Sequence, residues 1–480
     1  MNVMSSSVRT AQPDSPGREE WLQYVEEFRR AANQAVDWIA EYLANTRDYP
    51  VVSPIKPGTL VDQLPRSGPE RGESFDAILR DFREQVIPAV THWNHPGFMA
   101  YFACTGSTPA ILGDMLAASL NTVGLHWKTS PALVELEHVS LGWLRDWMGL
   151  PRQWFGMIHD TASTGSMHAL IAAREHVAPE ARENGSPPGL VMYTSEQSHS
   201  SIDKGAIAVG IGHKNVRHVP SDGDFRMRPD ALAEMIARDV QAGLRPFCVV
   251  ATVGTTSTTS IDPVPAIADI AERYGIWLHV DCAYAGAAAI IPEYQWILEG
   301  AWRADSLVVN PHKWLMTPTD LSVLYTKRPE ILRRALSLVP DYLKTQEDPR
   351  AVNLMDYAVP LGRRFRALKF WFVLRYFGRE RLAGILHTHI QWAQDLAELI
   401  EQDSRFEISA PHPFSTVCFR FRGSDEENMA ILERVNASGK FYISQTRLKG
   451  KTVLRIAVGN LGTTWDDVRA CWEMCALGSA

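Results

Sequence analysis

The spacing of hydrophobic positions changes along the chain, and its N-terminal part is helical. Apolar side chains recur at three- and four-residue steps over 21–43, which predicts an amphipathic helix, and 75–86 has the pattern of a second one. Proline and glycine punctuate the connection, residues 51–69. Because two helices without a sheet cannot enclose a core, this segment is expected to pack on another element or subunit.

In the middle of the chain short apolar runs alternate with helical patterns, which predicts a mainly parallel sheet covered by helices on both faces. The predicted strands are 190–193, 247–252, 275–280, 306–309 and 321–325, and the predicted helices are 167–177, 201–209 and 264–274.

From about residue 369 the pattern is that of a small α+β domain. The predicted elements there are a long helix at 382–401, strands at 416–421, 442–444 and 453–458, and a last helix at 466–475. The predicted organisation is a disordered tail over 1–18, a helical segment over 19–107, a large α/β domain over 108–368 and the small domain over 369–480.

Composition excludes several classes of partner. The 480 residues carry 48 Lys and Arg against 55 Asp and Glu without a basic tract, so nucleic acid is not expected as a partner. Neither a signal peptide nor an 18-residue apolar span is present, so no membrane association is expected. The six cysteines form no CxxC pair, which suits a reducing compartment, and we expect a cytoplasmic protein.

Candidate chemistry lies at two strand ends. Lys313 closes the tetrapeptide that follows strand 306–309, and Asp281 follows strand 275–280. Taken singly, such residues are commonly a solvated loop lysine and a helix N-cap. Together at strand ends, where α/β proteins hold ligands, they suit pyridoxal 5'-phosphate (PLP): the lysine binds it covalently, and the aspartate pairs with its protonated ring nitrogen.

Three further features fit the same cofactor. Small hydroxyl residues over 160–166 lead into a helix, which favours a phosphate site, although a plain N-cap is the alternative. His199 follows a strand and can stack on a planar ring or remain an exposed loop residue. Thr252 ends its strand. It can contact the cofactor, or it can be a core threonine whose hydroxyl is hydrogen-bonded within the protein.

Two other classes of site, a metal site and a cysteine hydrolase site, have less support in the sequence. A metal site would draw on His279, Asp281, His199 and His312, but no His-x3-His or cysteine pair supports it and Lys313 would repel a cation, so no metal is predicted. A cysteine hydrolase would use Cys282 beside Asp281, but the chain has no nucleophile elbow, and free cysteines are usually packed as small hydrophobes.

Longer motifs carry a family resemblance. Asn310-Pro311-His312-Lys313-Trp314, with the run from His279 to Gly286, resembles the PLP-dependent group II decarboxylases and, within them, the aromatic L-amino-acid decarboxylases. The similarity extends from about residue 20 to about 475. Further matches are His95-Pro96, Ala100-Tyr101-Phe102, Ser130-Pro131-Ala132, Glu135-Leu136-Glu137 and the run from Pro360 to Lys369.

The resemblance implies a fold-type-I homodimer, with the helical N-terminal segment in dimerisation and active sites at the interface. It implies that Lys313 binds PLP covalently, that Asp281 pairs with the ring nitrogen, and that Ala283 and His199 contact the two ring faces. The residues that it implies around the phosphate are Thr161, Ala162, Ser163, Asn310 and His312. Tyr342 would lie on a mobile loop that reaches into the partner's site.

The resemblance also implies an aromatic substrate pocket, lined by Trp93, Tyr101 and Phe102 together with the partner's Val123 and the partner's Leu125. Cys104 stands where animal enzymes have a hydroxyl residue, Leu125 replaces an aromatic residue and Thr161 a serine. Gly362 lies by resemblance against the partner's pocket, and plant relatives with glycine there look like indole users. The resulting expectation is tryptophan first and phenylalanine next.

The implied reaction is decarboxylation to an aromatic amine, with Tyr342, assisted by His199, returning a proton to Cα. An aromatic acetaldehyde synthase of the same family is the nearest alternative. Plant versions of that enzyme look different at the loop position, where phenylalanine replaces tyrosine, whereas this chain keeps Tyr342. A non-enzymatic binding protein is the third class, against which the joint presence of Lys313, Asp281 and His199 argues.

Overall fold

The computed structural model describes residues 16–102, 104–338 and 351–477. The chain forms two compact units, one ending at His92 and one beginning at Trp93. Most of the predicted disordered tail, 1–18, lies outside the described residues, but a helix already begins at Pro16. Within the described ranges no helix is both long and apolar enough to span a membrane.

The first unit is helical, as its hydrophobic spacing predicts. Its helices are α1 (Pro16–Ala44), α2 (Thr59–Gln63) and α3 (Phe75–Asp81). The Ser74 side chain accepts the Ala77 N–H and caps α3. Along α1 the large apolar side chains are more than half exposed at Trp21, Leu22, Tyr24 and Phe28.

The second unit is built around a seven-stranded sheet. Its elements, in chain order, are α4 (Thr108–Leu120), α5 (Pro131–Trp147), β1 (Phe155–His159), α6 (Ala162–Val177), α7 (Ala181–Asn184), β2 (Leu190–Ser195), α8 (Ser201–Ala208), β3 (Val216–Val219), α9 (Pro229–Gln241), β4 (Arg245–Thr252), α10 (Val264–Tyr274), β5 (Trp277–Asp281), β6 (Ser306–Val309), α11 (Pro311–Trp314), β7 (Ser322–Thr326) and α12 (Pro329–Leu336).

The strand order is β1-β7-β6-β5-β4-β2-β3, and the predicted mainly parallel sheet is confirmed. Only β7 runs antiparallel to its two neighbours, β1 and β6. Strands β5 and β6 are buried along their whole length, which is why they are mostly apolar in sequence, with the buried His279 as the one interruption inside β5. Helix α10 ends at Gly275, whose φ of 64° is the left-handed conformation that glycine adopts without steric cost.

A small α+β portion follows a long helix, α13 (Arg366–Gln402). Its elements are β8 (Phe406–Ile408), β9 (Thr416–Phe421), α14 (Asp425–Ala437), β10 (Ser444–Leu448), β11 (Lys451–Ala457) and α15 (Trp465–Ala476). The four strands form an antiparallel sheet in the order β10-β11-β9-β8. Capping boxes at Ser424 and Thr464 start α14 and α15.

Two expectations for this portion need correction. The helix predicted at 382–401 is only the second part of α13, which already begins at Arg366 and is interrupted at Gly378 with φ 66°. The predicted boundary between 368 and 369 therefore falls in the first turn of a helix. The strand predicted at 442–444 is wrong, because β10 starts at Ser444 while Tyr442 forms an isolated bridge with Phe98.

Candidate active site

The carboxyl ends of three neighbouring parallel strands bring the predicted residues together. In the register of the sheet, Asp281 at the end of β5 pairs with Thr252 of β4 and with Val308 of β6. Lys313 lies in α11, directly after β6. Because parallel strands end at one edge of the sheet, these side chains face a common cavity of about 210 Å³.

Eleven of the residues named from the sequence line this cavity: Phe102, Thr161, Ala162, Ser163, His199, Thr252, Asp281, Ala283, Asn310, His312 and Lys313. Four lining residues were missed: Ser201, Gly254, Thr256 and Tyr284. Gly254 carried a signal, since it is a glycine only two positions after the end of β4 at Thr252. Its φ is 87°, and a Cβ there would lie 2.5 Å from the Cβ of Ala285, so only glycine fits.

The Lys313 amine lies in a buried environment close to the Asp281 carboxylate. Burial lowers the pKa of its ammonium below the ordinary lysine value, and the nearby Asp281 carboxylate opposes this shift. The Nζ atom lies 5.1 Å from the centroid of the Phe102 ring. A lowered pKa increases the fraction of neutral amine, the form that attacks a carbonyl carbon.

Asp281 is held rigidly at its strand end. Its Oδ1 accepts the Ala283 N–H at 3.0 Å, and its side chain is buried. His279, two residues earlier, hydrogen-bonds Ser306 Oγ at 2.8 Å through Nδ1 and Ser166 Oγ at 3.1 Å through Nε2. Burial lowers the pKa of His279 to about 4, so this imidazole is neutral and links β5 to β6 and α6.

The two histidines that line the cavity, His199 and His312, are fixed through Nδ1. His312 Nδ1 accepts the Leu321 N–H at 2.9 Å, and His199 Nδ1 accepts the Ser201 N–H at 3.2 Å. An accepting Nδ1 leaves the proton of a neutral ring on Nε2. Burial first, then the charge of Lys313, lowers both pKa values, that of His312 to about 4. Each ring is therefore a neutral Nε2–H donor.

The cavity also contains an anion cradle. Thr161 caps α6 through the Thr164 N–H, so the N–H groups of Ala162 and Ser163 precede the first intrahelical bond. Asn310 Oδ1 is buried and has no hydrogen-bond partner among the described residues. An amide that can turn its NH₂ toward a ligand, together with His312 and the start of a 16-residue helix, suits a phosphate.

Aromatic rings extend from the cavity. Phe102 stacks on Tyr284 at 3.9 Å between centroids, and Tyr284 stacks on Trp314 at 4.9 Å. Trp93 and Tyr101 stack at 6.0 Å and are partly exposed, and Tyr101 has a φ of 55°. These two do not line the cavity itself.

Cys104 lies close enough to Lys313 for each to affect the other's pKa. Burial raises the pKa of the thiol, and the Lys313 charge opposes that rise. The uncharged thiol is therefore the form present near neutral pH. Like Trp93 and Tyr101, Cys104 does not line the cavity.

Three further predicted residues, Val123, Leu125 and Gly362, lie on two joined loops outside the cavity. The Gly124 N–H donates to the Arg363 carbonyl at 2.8 Å, which ties the loop of Val123 and Leu125 to that of Gly362. Arg363 forms a buried ion pair with Glu137 at 2.8 Å. Val123 and Gly362 are exposed in the single chain and Leu125 is half-buried. Tyr342 lies outside the described residues.

An amine, a carboxylate and an anion cradle at one sheet edge define a PLP-binding enzyme site. The chain matches the pyridoxal-dependent decarboxylase conserved domain over residues 57–422. It is 43% identical over 472 residues to a tryptophan decarboxylase of Camptotheca acuminata, with 95% of each chain covered. It is 41% identical over 466 residues to a phenylacetaldehyde synthase of Arabidopsis thaliana, covering 94% of this chain and 95% of the relative.

The fold agrees with these sequence relationships. The crystal structure of Oryza sativa TDC with PLP and tryptamine superposes with a TM-score of 0.91 at 36% identity, over 97% of this chain and 98% of that one. The chain belongs to the pyridoxal-dependent decarboxylase family, and the predicted fold class and PLP requirement are confirmed. It is a carboxy-lyase. When bound, PLP withdraws electrons from the substrate Cα, which lets the carboxylate leave.

Proposed function

We propose that this protein converts aromatic L-amino acids into the corresponding amines and CO2, with tryptophan preferred. The main support for this proposal is that Lys313 Nζ lies 5.1 Å from the centroid of the Phe102 ring. An amino acid held at Lys313 has its side chain next to an aromatic surface, where a flat apolar ring gains both area burial and stacking.

Each residue of the site has a different role in the reaction. Asp281 keeps a proton on the cofactor's ring nitrogen, while His312, Asn310 and the start of α6 hold the phosphate. The Nε2–H of His199 is a donor at the ring face. Tyr342 returns the proton to Cα after CO2 leaves, a role that rests on the family resemblance alone.

The substrate preference rests on three positions. Gly362 and Leu125 leave room for a bicyclic ring, and the Cys104 thiol is a poor hydrogen-bond partner for a ring hydroxyl. Losing one neutral hydrogen bond costs about 0.5–1.5 kcal/mol, so discrimination against hydroxylated rings is modest and the enzyme is broad.

The product is the amine rather than the aldehyde. A relative of 41% identity is named a phenylacetaldehyde synthase, so both outcomes occur among proteins this similar. This chain retains tyrosine at position 342, and a proton donor at Cα shortens the time in which oxygen can react.

The active enzyme is a homodimer with shared sites. Apolar side chains stay exposed along α1 and, separately, along α4 at Leu112, Leu116 and Leu120. Exposed apolar patches of this kind favour an interface. Val123 and Gly362 are exposed, whereas Lys313 is not. In a dimer, Val123 and Gly362 of one chain can therefore lie against the Lys313 cavity of its partner. The six free cysteines suit a cytoplasmic location.

Product analysis tests the activity. Purified holoenzyme is incubated with L-tryptophan, and tryptamine, CO2, oxygen uptake and peroxide are measured together. We expect equimolar tryptamine and CO2 without stoichiometric oxygen uptake. Indole acetaldehyde with equimolar peroxide would establish the aldehyde synthase instead, and turnover of no aromatic amino acid would refute both.

Hybrid dimers test the shared site. Lys313→Ala and Tyr342→Phe chains are co-expressed with different tags, and the mixed dimer is isolated. One of its two sites then combines Lys313 of one chain with the partner's Tyr342, and both of these residues are intact. Tryptamine production is therefore expected, although neither parent makes tryptamine well. A hybrid that behaves as the average of its parents would show that each chain carries a complete site.

A further inference from the structure

One cluster of metal-ligating side chains stands apart from the residues assigned to the cofactor. Asp203 lies in the first turn of α8, His213 in the short turn that follows and His218 in β3. His218 Nε2 is 3.2 Å and His213 Nε2 is 3.4 Å from Asp203 Oδ1. Among the described residues this is the only group of three such side chains whose ligand atoms all lie within 4.8 Å of one another.

These separations are those of ligands around a small cation. Imidazole nitrogens and carboxylate oxygens bind Zn²⁺ at about 2.0–2.2 Å in a tetrahedron, whose neighbouring corners are therefore about 3.3 Å apart. The two distances to Asp203 Oδ1, 3.2 and 3.4 Å, lie on either side of that value.

The carboxylate oxygen is also unsatisfied. Asp203 Oδ1 is shielded from solvent, yet it accepts no hydrogen bond from any described residue, in spite of the two nearby imidazoles. Both imidazole Nε2 atoms thus lie beside this oxygen without donating a hydrogen bond to it. A buried acceptor without a partner costs free energy that a bound cation would recover.

We propose that Asp203, His213 and His218 bind one divalent transition-metal ion, Zn²⁺ foremost, with water in the remaining position. Two imidazoles and a carboxylate without a thiolate suit Zn²⁺, Ni²⁺ or Cu²⁺ and disfavour Mg²⁺ and Ca²⁺, which take mainly oxygen ligands. The ion ties α8 to β3. Because α8 begins two residues after His199, binding also restrains the segment that carries this histidine.

Titration of tag-free holoenzyme, stripped with a chelator, tests the site. Zn²⁺ binding is measured by calorimetry, and Co²⁺ binding is measured by the visible ligand-field bands of a four-coordinate ion. We expect one ion per chain, and about tenfold or weaker binding in His213→Gln and in His218→Gln. His387→Gln, an exposed histidine on α13, is the matched control and is expected to bind as the unsubstituted chain does.

Thermal denaturation gives a second readout. Zn²⁺ at about a hundredfold excess over its Kd is expected to raise the unfolding midpoint by about 2–3 °C in the unsubstituted protein and in His387→Gln, but not in the His213→Gln/His218→Gln double variant. Absence of binding, or stoichiometric binding that persists in the double variant with unchanged far-ultraviolet circular dichroism, would overturn the proposal.

Discussion

Gly362 and Val123 face each other so closely that a Cβ at position 362 would lie 3.4 Å from Val123 Cγ1. This is ordinary van der Waals contact, and the φ of Gly362 is outside the left-handed region, so a small side chain can be accepted. Any atom beyond Cβ would occupy the space that we assign to the far edge of a bicyclic ring.

Gly362→Ser is therefore expected to lower kcat/KM for tryptophan by about tenfold or more relative to tyrosine, mainly through KM, because a pocket discriminates by the volume it leaves. Side-by-side kinetics with tryptophan, tyrosine and dihydroxyphenylalanine measure this ratio. Gly384→Ser, at an exposed site of α13 with no atom within 4 Å of an added Cβ, is the control. An unchanged ratio in Gly362→Ser would remove this residue from the pocket.

Tyr342→Phe is expected to divert product from tryptamine to indole acetaldehyde, because it removes the hydroxyl that we propose returns the proton to Cα, and oxygen then has more time to react. Oxygen uptake and peroxide release measure the diversion. Tyr376→Phe removes an exposed hydroxyl on α13 and should leave the product unchanged. If Tyr342→Phe consumes no oxygen, another group donates the proton.

Asp281→Asn is expected to reduce kcat by about 10²–10³-fold, because a neutral amide no longer stabilises the charge on the ring nitrogen. The fold should survive, since an asparagine Oδ1 can still accept the Ala283 N–H that Asp281 accepts at 3.0 Å. Steady-state kinetics together with circular dichroism measure both effects. A kcat equal to that of the unsubstituted enzyme would reduce Asp281 to a structural cap.

Acid should destabilise the protein through its buried histidines. His389 hydrogen-bonds the Trp314 Nε1–H at 3.1 Å, and burial lowers its pKa to about 4. The unfolded chain, with a histidine pKa near 6.5, thus binds more protons between pH 6.5 and 4. The free energy of unfolding must fall as pH falls through that window, by up to about 1.4 kcal/mol per pH unit for each such group.

His389→Gln keeps an acceptor for Trp314 and removes the titration. Urea denaturation between pH 4.5 and 7.5 should therefore show a shallower pH slope for this variant, while His387→Gln, exposed on the same helix, keeps the original slope. Equal slopes for His389→Gln and the unsubstituted protein would show that His389 is solvated in the folded state.

The sequence predicted the catalytic edge of the sheet well because its strands are buried on both faces. Mostly apolar runs identify β4, β5 and β6, and the polar residue that follows the apolar part of each run, Thr252, Asp281 or Asn310, lies in the cavity. The edge strands β1 and β3 were missed, since β3 contains Arg217 and His218 and is only partly buried. Edge strands that face solvent lose the apolar signal.

The missed residues of the site depend on distant parts of the chain. Tyr284 reaches the cavity through its stack on Phe102, about 180 positions away, and its hydroxyl contacts Ser415 at 2.7 Å. No local pattern encodes such contacts. The loops of Val123 and Gly362, which we propose face the substrate of another chain, were named through family resemblance alone.

Mapping the cofactor attachment tests whether PLP is bound covalently to Lys313. Borohydride reduction of the holoprotein fixes the cofactor to whichever amine holds it, and peptide mass spectrometry then locates the label. We expect a label on Lys313 and a Lys313→Ala variant that is folded, unlabelled and without tryptamine production. Lys56→Ala, at an exposed position, should behave as the unsubstituted enzyme. A label on another lysine, or tryptamine production by Lys313→Ala at the original rate, would contradict this assignment.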